Sequence, residues 1–389
     1  MRKVGIYIFI YFSILFSTAN AQVIRIGLMD DYLSEAFSFH CIEGSFELLG
    51  EGEEILTVEK GDLIFLRIQD GKILLNDGKN FSAKFDDVKF SDSGLKSQFS
   101  IKMVKPMLET RYYEGEFEVS IKHDVFQLIN ILDFDRYLAG VVETEAGPGA
   151  PDEFFRVQAV LCRTYAVSNW NKHTLEGFDL CDNIHCQAFH GRNNENPDIL
   201  EAVYSTHGIV IADKSYKLID AVYHSNSGGQ TQKSEGFWPE KKDYLLSILD
   251  PFSKNQRNSV WEFTMNWKLW KDYFVEMGVD LEEVDSLDLL IKQDHRKTFV
   301  EFDKDTIYLK NIRSDFGLKS AYFNVNLEGD KVILKGKGYG HGLGLSQEGA
   351  MEMVRQGYSY KDVINYYYND VMIRDLKDLP FNSIPEIFR

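Results

Sequence analysis

Hydrophobic and polar positions alternate over much of the first third of the chain, and turns separate the alternating runs. The runs between residues 23 and about 120 are VIRIGLM, SFELLG, EILTVEKGDLIFLRI, KILLNDG, FSAKF, FSIKMV and FEVSIK. A period of two is that of a strand with one buried face, and Asn76-Asp77-Gly78 is a turn signal. The pattern therefore predicts a small β-domain, in which no cluster of residues indicates a site.

The period changes to that of an α-helix after Asp133. Four residues spaced i, i+3, i+4 and i+7 form one face, namely Leu138, Val141, Val142 and Glu145. Asp133 or Asp135 can cap the start of this helix. On this geometry Glu145 continues the buried face, whereas Glu143 lies on the polar side and is predicted to be solvated.

A second helix is predicted after the stop signal Gly147-Pro148-Gly149, with Asp152 as its cap. Its sequence, DEFFRVQAVLCRTYAVSNW, is apolar around most of the circumference, so the helix is expected to be buried. Arg163 lies inside it. A buried guanidinium needs a carboxylate partner, and Glu145 is the nearest candidate in sequence.

The rest of the chain mixes both periods. Strand character returns between 200 and 230 in GIVIAD and KLIDAVYHS, and a mixed segment from about 240 to 335 includes the helix-like WKLWKDYFVEMG. Two short helices follow in SQEGAMEMVRQG and SYKDVINYYYND, where Ser359 and Asp362 form a capping-box pattern. We therefore expect an α+β fold of mixed helices and antiparallel sheets with an N-terminal β-rich region.

The first 21 residues have the organisation of a signal peptide. MRK is basic, VGIYIFIYFSILF is apolar, and Ala19-Asn20-Ala21 is a small-x-small cleavage site. We expect the mature chain to begin at Gln22 and to be secreted across the inner membrane. The alternative is an uncleaved anchor, although the apolar run is shorter than the ~20 residues of a bilayer span.

Composition narrows the class of partner. The chain has 389 residues, 43 of them basic and 60 acidic, and a formal net charge of −17. Phosphate binding needs clustered Lys and Arg, and the linear sequence shows no such cluster. A nucleic-acid partner and other polyanions are therefore disfavoured, and a neutral or cationic polymer fits better.

KGKGYGHGLGLSQEGA, residues 335 to 350, places a glycine at every second position from Gly336 to Gly344. Alternating glycines leave one face of an extended segment without side chains, so that a ligand or another chain can approach the backbone. His341, Ser346 and Gln347 would then line a substrate-binding surface. The alternative is a tightly packed crossing of chains without a ligand.

HSNSGGQT, residues 224 to 231, is a second loop of small polar residues, at the end of an apolar strand. Such loops carry sites when a rigid element positions them. The candidate substrate-binding residues are Ser225, Ser227, Gly228 and Gly229. A plain surface turn is the alternative.

A cysteine–histidine cluster is the third candidate. Cys181, His185 and Cys186 lie close in sequence, with His173 upstream and His190 downstream. Two thiolates and one or two imidazoles suit tetrahedral zinc, which would be structural because no open ligand position is apparent. The alternative is a disulfide between the two cysteines in an oxidising compartment.

Five motifs in this order resemble those of the SpoIID/LytB family of bacterial cell-wall proteins. They are YLAGVVETEA, VQAVLCRTYA, LCDNIHCQAFHG, YHSNSGGQT and GKGYGHGLGLSQEGAMEMVRQGYSYKDVINYYY. The resemblance runs from about 110 to 372 and implies a catalytic core with a groove, interrupted by the segment 240–335. A β-rich region at 22–109 would precede the core, and a tail at 373–389 would follow it.

The resemblance implies a peptidoglycan lytic transglycosylase that leaves anhydro-muramic ends, in the founding members on glycan strands stripped of stem peptides. The catalytic acid of the family is the last acid of GVV-x-x-E, which is Glu145 here, in agreement with the helical-face argument. The methionine that commonly follows it is Ala146. Some members bind zinc through this cluster, which makes His173 the expected fourth ligand. No organic cofactor is implied.

The resemblance also leaves a non-catalytic alternative. Family members called amidase enhancers bind partners instead of cutting glycan, so a cell-wall amidase is a second expected partner besides the glycan strands. Either function is expected in the periplasm or at the cell wall. A direct pair between Arg163 and Glu145 would lower the pKa of the glutamate and weaken it as an acid. We therefore predict that Arg163 contacts a different carboxylate or the substrate.

Overall fold

The computed structural model describes residues 22–388 except 93, 192–195, 236, 239, 283 and 303. The predicted signal peptide lies outside the described residues. Within them, no helix combines the length and the apolar character that a membrane crossing requires.

The elements follow one another in two groups. The first comprises β1 (Val23–Leu28), β2 (Ala36–Glu43), β3 (Ser45–Gly50), β4 (Glu53–Glu59), β5 (Leu63–Gln69), β6 (Lys72–Asn76), β7 (Ser82–Phe85), β8 (Asp87–Ser91), β9 (Gln98–Lys105), β10 (Arg111–Glu114), β11 (Glu116–Lys122), β12 (Val125–Asp133), α1 (Phe134–Ala146), α2 (Asp152–Ser168) and β13 (Leu180–Cys181). The second comprises α3 (Pro197–Ser205), β14 (Ile209–Ala212), β15 (Tyr223–His224), β16 (Val260–Asn266), α4 (Trp267–Glu276), β17 (Phe299–Phe302), β18 (Asp305–Tyr308), α5 (Leu309–Asp315), β19 (Phe323–Glu328), β20 (Lys331–Lys337), β21 (Leu345–Ser346), α6 (Gln347–Arg355), α7 (Tyr360–Tyr367) and β22 (Met372–Asp375).

The N-terminal strands form two sheets whose aromatic side chains share one core. The strand orders are β13-β1-β12-β11-β8-β3-β4 and β10-β9-β2-β5-β6-β7. Phe39 of the second sheet stacks on Phe90 of the first, with ring centroids 3.8 Å apart. Alternation of buried and exposed positions, as in β3, leaves the polar residues outside. The predicted β-rich region is confirmed.

These sheets continue beyond the boundary predicted at residues 109 and 110. That boundary falls between β9 and β10, which are antiparallel neighbours with Tyr112 opposite Ser100. β11 and β12 extend the same β-rich part to Asp133. The polar and apolar pattern could not show this, because strand pairing joins segments across the boundary.

The two predicted helices form where the periodicity changes. The Asp133 side chain caps α1 by accepting from the Arg136 N–H at 3.0 Å, and Gly147 ends the helix at φ 69°. α2 begins at Asp152, one residue earlier than a cap at Asp152 would require, because Pro151 is its N-cap. α2 is buried along most of its length, since Phe155 packs in the N-terminal core and Phe154 in a C-terminal one.

The predicted inserted segment has a hydrophobic core of its own. A three-stranded sheet of order β16-β20-β19 and the hairpin β17-β18 enclose it together with α4 and α5. Trp270, Phe274 and Val325 lie at its centre. The chain as a whole is an α+β protein, as predicted, and we call the part from 260 to 337 the insert.

Candidate active site and metal centre

The two loops predicted as sites are brought together by a short parallel ladder. β15 pairs with β21, with Tyr223 opposite Leu345 and His224 opposite Ser346. Beyond the ladder, the Asn226 N–H donates to the Tyr339 carbonyl at 3.0 Å, and the Tyr339 N–H donates back at 2.8 Å. Residues 224–231 and 336–347 thus form one continuous surface.

Glu145 lies at the end of α1 beside this ladder. Its side chain is half-buried, and burial raises the pKa of its carboxyl. The Ala188 N–H and the Tyr223 hydroxyl are its hydrogen-bond partners and partly oppose that shift. Gln347 on the second loop donates to the Glu145 carbonyl at 3.4 Å. The carboxyl therefore favours its protonated form while it is held by two directed donors.

Four further side chains form a candidate metal centre. One ligand atom from each of His173, Cys181, His185 and Cys186 lies within 4.8 Å of all the others. Cys186 Sγ lies 3.4 Å from His173 Nε2, and Cys181 Sγ lies 3.7 Å from His185 Nδ1. The described cysteines are unpaired, so the structure does not contain the alternative disulfide.

The donor set fits a tetrahedral divalent ion. Metal–ligand bonds of about 2.0–2.3 Å place neighbouring ligands of a tetrahedron about 3.3–3.8 Å apart, which matches the two distances above. His173 Nδ1 lies 2.7 Å from Glu176 Oε2. A proton on Nδ1, held by that carboxylate, leaves Nε2 free to bind a metal. These four residues could hold a metal ion.

The N-terminal sheets support this centre. β13, which carries Cys181, pairs in parallel with β1, with Gly27 opposite Cys181. The neighbouring Asp182 accepts from the Met29 N–H at 3.0 Å and from Arg111 at 2.8 Å. Because β1 and β10 hold the strand, the cluster sits on the β-rich part of the protein.

Comparison with known proteins agrees with this arrangement. The family model described as Stage II sporulation protein matches residues 122–212, which include α1, α2 and the metal cluster. Stage II sporulation protein D of Bacillus subtilis is 25% identical over 64% of this chain and 76% of that protein. The protein of the same name from Bacillus amyloliquefaciens is 25% identical over 73% and 86%. The chain is therefore similar to proteins of the SpoIID/LytB family. Its similarity extends to the amidase enhancer of Bacillus subtilis, at 25% identity over 59% of this chain and 39% of that protein.

Arg163 does not contact Glu145 in this structure. It is 1% exposed, and its Nη2 donates to Asp135 Oδ1 at 3.1 Å. Both Nη atoms also donate to main-chain carbonyls, among them that of Thr206 at 2.8 Å. The expected different carboxylate is therefore Asp135. The substrate-binding role predicted for Arg163 is not compatible with this burial.

The environment of Glu143 differs from the predicted one. Glu143 is half-buried instead of solvated, and its Oε1 accepts from Asn196 Nδ2 at 2.5 Å. Helical periodicity alone could not show that residues near α3 would cover this face of α1. The two acids nevertheless have different surroundings, as the helix geometry requires.

Two of the predicted substrate-binding serines are internal. Ser227 is fully buried, and its hydroxyl donates to Asp250 at 2.7 Å. Ser346 is also fully buried and caps α6, accepting from the Gly349 N–H at 3.4 Å and the Ser227 N–H at 3.2 Å. These hydroxyls hold the loops in shape and are not available to a ligand. Ser225 stays half-exposed, with Asn258 donating to its hydroxyl at 3.2 Å.

The alternating glycines serve close packing within the chain. Gly338, Gly340, Gly342 and Gly344 all have positive φ, between 65° and 108°, so the segment is not regularly extended. An added Cβ at Gly344 would lie 2.1 Å from the Val222 carbonyl oxygen, and one at Gly342 would lie 2.3 Å from Arg296 Cζ. At these positions the glycines allow other parts of the chain to pack closely, which is the alternative to a ligand-binding surface. Gly228 and Gly229, at φ 69° and 99°, form the predicted turn.

His341 also makes contacts within the protein. Its Nδ1 accepts from the Leu343 N–H at 3.0 Å, and it has a further hydrogen bond with the Tyr223 backbone. Burial, together with the nearby Arg296 and Arg313, lowers its pKa to about 4. The neutral ring therefore holds the strand that presents Tyr223, and its contact with a ligand stays a prediction.

Sequence reasoning missed Tyr223 and Gln187. Tyr223 lies in the motif YHSNSGGQT, immediately before the loop whose residues were predicted to bind substrate. The Gln187 amide is 3% exposed, and neither of its polar atoms has a partner among the described residues. It lies beside the Cys162 thiol, which is 4.0 Å from the Tyr223 hydroxyl. Only the folded chain brings these groups next to Glu145.

A large cleft lies apart from Glu145. Its volume is about 1140 Å³, and it lies between residues 230–233 and the insert, where Arg296 and Lys297 line it. Glu145 is not part of its lining. Cleft volume alone would have misplaced the candidate active site.

Proposed function

We propose that this protein is a peptidoglycan lytic transglycosylase and that Glu145 is its general acid and base. The observation that carries the proposal is the half-buried carboxyl of Glu145, with its raised pKa, beside the surface formed by the two polar loops. A general acid must hold its proton near the working pH, and burial is the usual way to achieve this for a glutamate.

One carboxyl is enough for this reaction. Glu145 would protonate the glycosidic oxygen as its bond to the sugar breaks, and the resulting carboxylate would take the proton of the same sugar's primary hydroxyl as that oxygen attacks. The product is an anhydro-muramic end and a free hydroxyl on the leaving strand. Hydrolysing glycosidases need a second carboxyl for water, whereas the high effective molarity of an intramolecular nucleophile replaces it here.

The Tyr223 hydroxyl and the Ala188 N–H are well placed to support both steps. Each donates toward the carboxylate form, so each stabilises Glu145 after the proton has left. Burial raises the pKa of Glu145, and these two hydrogen bonds lower it. Because the two effects oppose each other, the glutamate can act first as an acid and then as a base.

Zinc is the metal that we propose for the cluster, bound by His173, Cys181, His185 and Cys186. Two thiolates and two imidazoles are zinc ligands of the structural type. Ala188 follows Cys186 by two residues, so a bound ion would help to hold the donor that faces Glu145.

The expected setting is the periplasm or the cell wall, and the expected substrate is the glycan strand of peptidoglycan. The signal-like first 21 residues support export, and the relatives named stage II sporulation protein D support a role in the wall. An amidase enhancer without glycan cleavage is the second candidate, because a relative carries that name.

Mass spectrometry of the products tests the proposal. The mature protein and its Glu145→Gln variant are incubated with purified glycan strands, with and without stem peptides. Anhydro-muramic ends from the wild type and none from the variant are expected, and the preferred strand identifies the substrate. Glu143→Gln is the matched control, which should keep activity. If the folded wild type binds glycan but makes no anhydro product, the enhancer function is favoured.

A further inference from the structure

A group of cationic side chains surrounds the His341 loop where the insert meets it. Its members, which we call the cationic cluster, are Arg296, Lys310, Arg313, Lys319 and Lys337. Aromatic rings connect them, as Arg296 and Lys337 lie 5.7 and 5.0 Å from the Tyr322 ring.

Two further members, Lys319 and Lys310, also lie against aromatic rings. Lys319 lies 5.7 Å from the Tyr339 ring, and Lys310 lies 5.3 Å from the Phe237 ring. The Phe237 ring is in turn 5.9 Å from the His341 ring. These four cations therefore belong to one place in the fold, and Arg313 lies close enough to affect the pKa of both Arg296 and His341.

Arg296 is a buried cation with no carboxylate partner in the described part of the chain. It is 5% exposed, and its Nη1 donates to the carbonyls of Ser227 and Gln230 at 2.9 and 3.1 Å. Its Nη2 lies 3.4 Å from the His341 carbonyl. Among the described residues, no salt bridge joins it to an acid, although buried charges are normally paired.

Arg313 adds a second charge that no acid neutralises among the residues that the structure describes. It is half-buried, and its Nε is enclosed with no hydrogen-bond partner in the described part of the chain. Burial and the neighbouring Arg313 together lower the pKa of Arg296 to about 10. Two guanidinium groups thus lie close enough to repel each other.

An enclosed imidazole atom points to the same place. His224 is 4% exposed, and its Nδ1 is bonded to the Leu343 carbonyl at 3.0 Å. Its Nε2 is buried and has no partner within the described ranges. The His224 ring lies 5.5 Å from the His341 ring. Two polar atoms near His341, His224 Nε2 and Arg313 Nε, are therefore without partners among the described residues, in a protein whose formal net charge is −17.

We propose that the cationic cluster is a binding site for a carboxylate of the substrate, with Arg313 and Lys319 as its accessible donors. A carboxylate would supply the charge that the two arginines lack, and guanidinium groups bind carboxylates through paired hydrogen bonds. Tyr339 is 44% exposed, so the loop beside Lys319 is open to solvent.

The inference rests on the proposed function and specifies its substrate. The Tyr223 backbone bonds to His341 while the Tyr223 hydroxyl bonds to Glu145, which connects the cluster to the candidate acid. Glycan strands stripped of peptides expose the lactyl carboxylate of each muramic acid, and strands with peptides carry carboxylates on the stems. Both sources share the same chemistry. The neutral or cationic polymer expected from net charge is thereby replaced by an anionic one.

Binding measurements test the site without requiring cleavage. All variants are made in a Glu145→Gln background, and affinities are measured by calorimetry for peptide-free glycan oligomers, for the same oligomers with their carboxylates capped as amides, and for soluble stem peptides. We expect tighter binding of a ligand with free carboxylates. Arg313→Gln and Lys319→Gln should each weaken it about tenfold, the size of one charge-assisted contact, and added salt should weaken it further.

The control is Arg374→Gln, which removes the same charge at an exposed position on β22. Loss of affinity in both cluster variants but not in the control supports the site, and whichever carboxylated ligand is preferred identifies the source. Equal affinity for free and capped oligomers overturns the proposal, as does full affinity in Lys319→Gln and Arg313→Gln. Because Lys319 is exposed, its variant stays informative even if Arg313→Gln folds poorly. If the product assay shows no cleavage, that result tests the catalytic role of Glu145. The binding measurements can still be interpreted, because they do not require cleavage.

Discussion

The guanidinium of Arg163 lies 3.1 Å from the carboxylate of Asp135 and is enclosed by main-chain carbonyls. The pairing keeps this buried cation away from Glu145, although Glu145 is nearer to Arg163 in sequence than Asp135 is. Burial can therefore raise the pKa of Glu145, where a guanidinium contact would have lowered it.

Arg163→Met should destabilise the protein. The substitution leaves Asp135 buried and deprived of its cation, a change that costs about 3–5 kcal/mol in comparable cases. Urea unfolding followed by circular dichroism measures the free energy of unfolding. Arg156→Met on the same helix, which breaks the half-exposed pair with Glu153, should cost about 1 kcal/mol or less. A folded Arg163 variant of normal stability that lost only glycan affinity would contradict the structural role.

Tyr223→Phe should move the alkaline limb of the activity profile to higher pH. The hydroxyl lowers the pKa of Glu145 by bonding to its charged form, so its removal lets burial raise that pKa further. A general acid loses activity as pH rises through its pKa, and that loss would then occur later. The rate of anhydro-product release is measured across pH, with Tyr216→Phe, at an exposed position, as control. An unshifted limb would show that Tyr223 does not bond to Glu145 in solution.

His185→Ala should abolish metal binding. Elemental analysis should find about one zinc ion per wild-type chain and much less in the variant, because a four-ligand site loses a ligand. The melting temperature should fall with it, since an ion bound only to the folded state stabilises that state. His185 is exposed, so its replacement removes little packing. His190→Ala is the control and should keep its metal, as His190 does not belong to the described cluster. Equal metal content in both variants would argue against the site.

Stability should decrease as pH falls from about 6.5 toward 4, in part because of His341. Burial with Arg296 and Arg313 lowers its pKa from 6.5 to about 4, and His224, whose pKa is also lowered, faces the same cluster. Between these values the unfolded chain binds a proton that the folded chain does not, so the free energy of unfolding drops by about 1.4 kcal/mol per pH unit for each such group.

The contribution of His341 is isolated by comparison with His341→Gln. Urea unfolding between pH 5 and pH 6.5 should give a shallower dependence on pH for the variant than for the wild type. His123→Gln, at an exposed position, should keep the wild-type dependence. An unchanged slope in His341→Gln would mean that this imidazole does not stay neutral in the folded state.

Local features of the sequence predicted much of the fold. α1 begins with the side-chain cap of Asp133 and ends at Gly147, and Ser359 and Asp362 form the expected capping box. The β-rich region was predicted from periodicity. The four cysteine and histidine side chains also meet as the family resemblance implied. These predictions succeeded because capping, periodicity and short ligand spacings depend on residues only a few positions apart.

The partners of the buried polar groups required the tertiary structure. Asp135 for Arg163, Tyr223 for Glu145 and Arg296 behind Gly342 are all contacts between distant segments. The same is true of the cationic cluster, whose members are scattered in a strongly acidic chain. Sequence by itself determined which elements form and which residues could do chemistry. The packing of those elements decided which of these residues reach a ligand and which hold the protein together, because burial and distance set both the pKa and the access of a side chain.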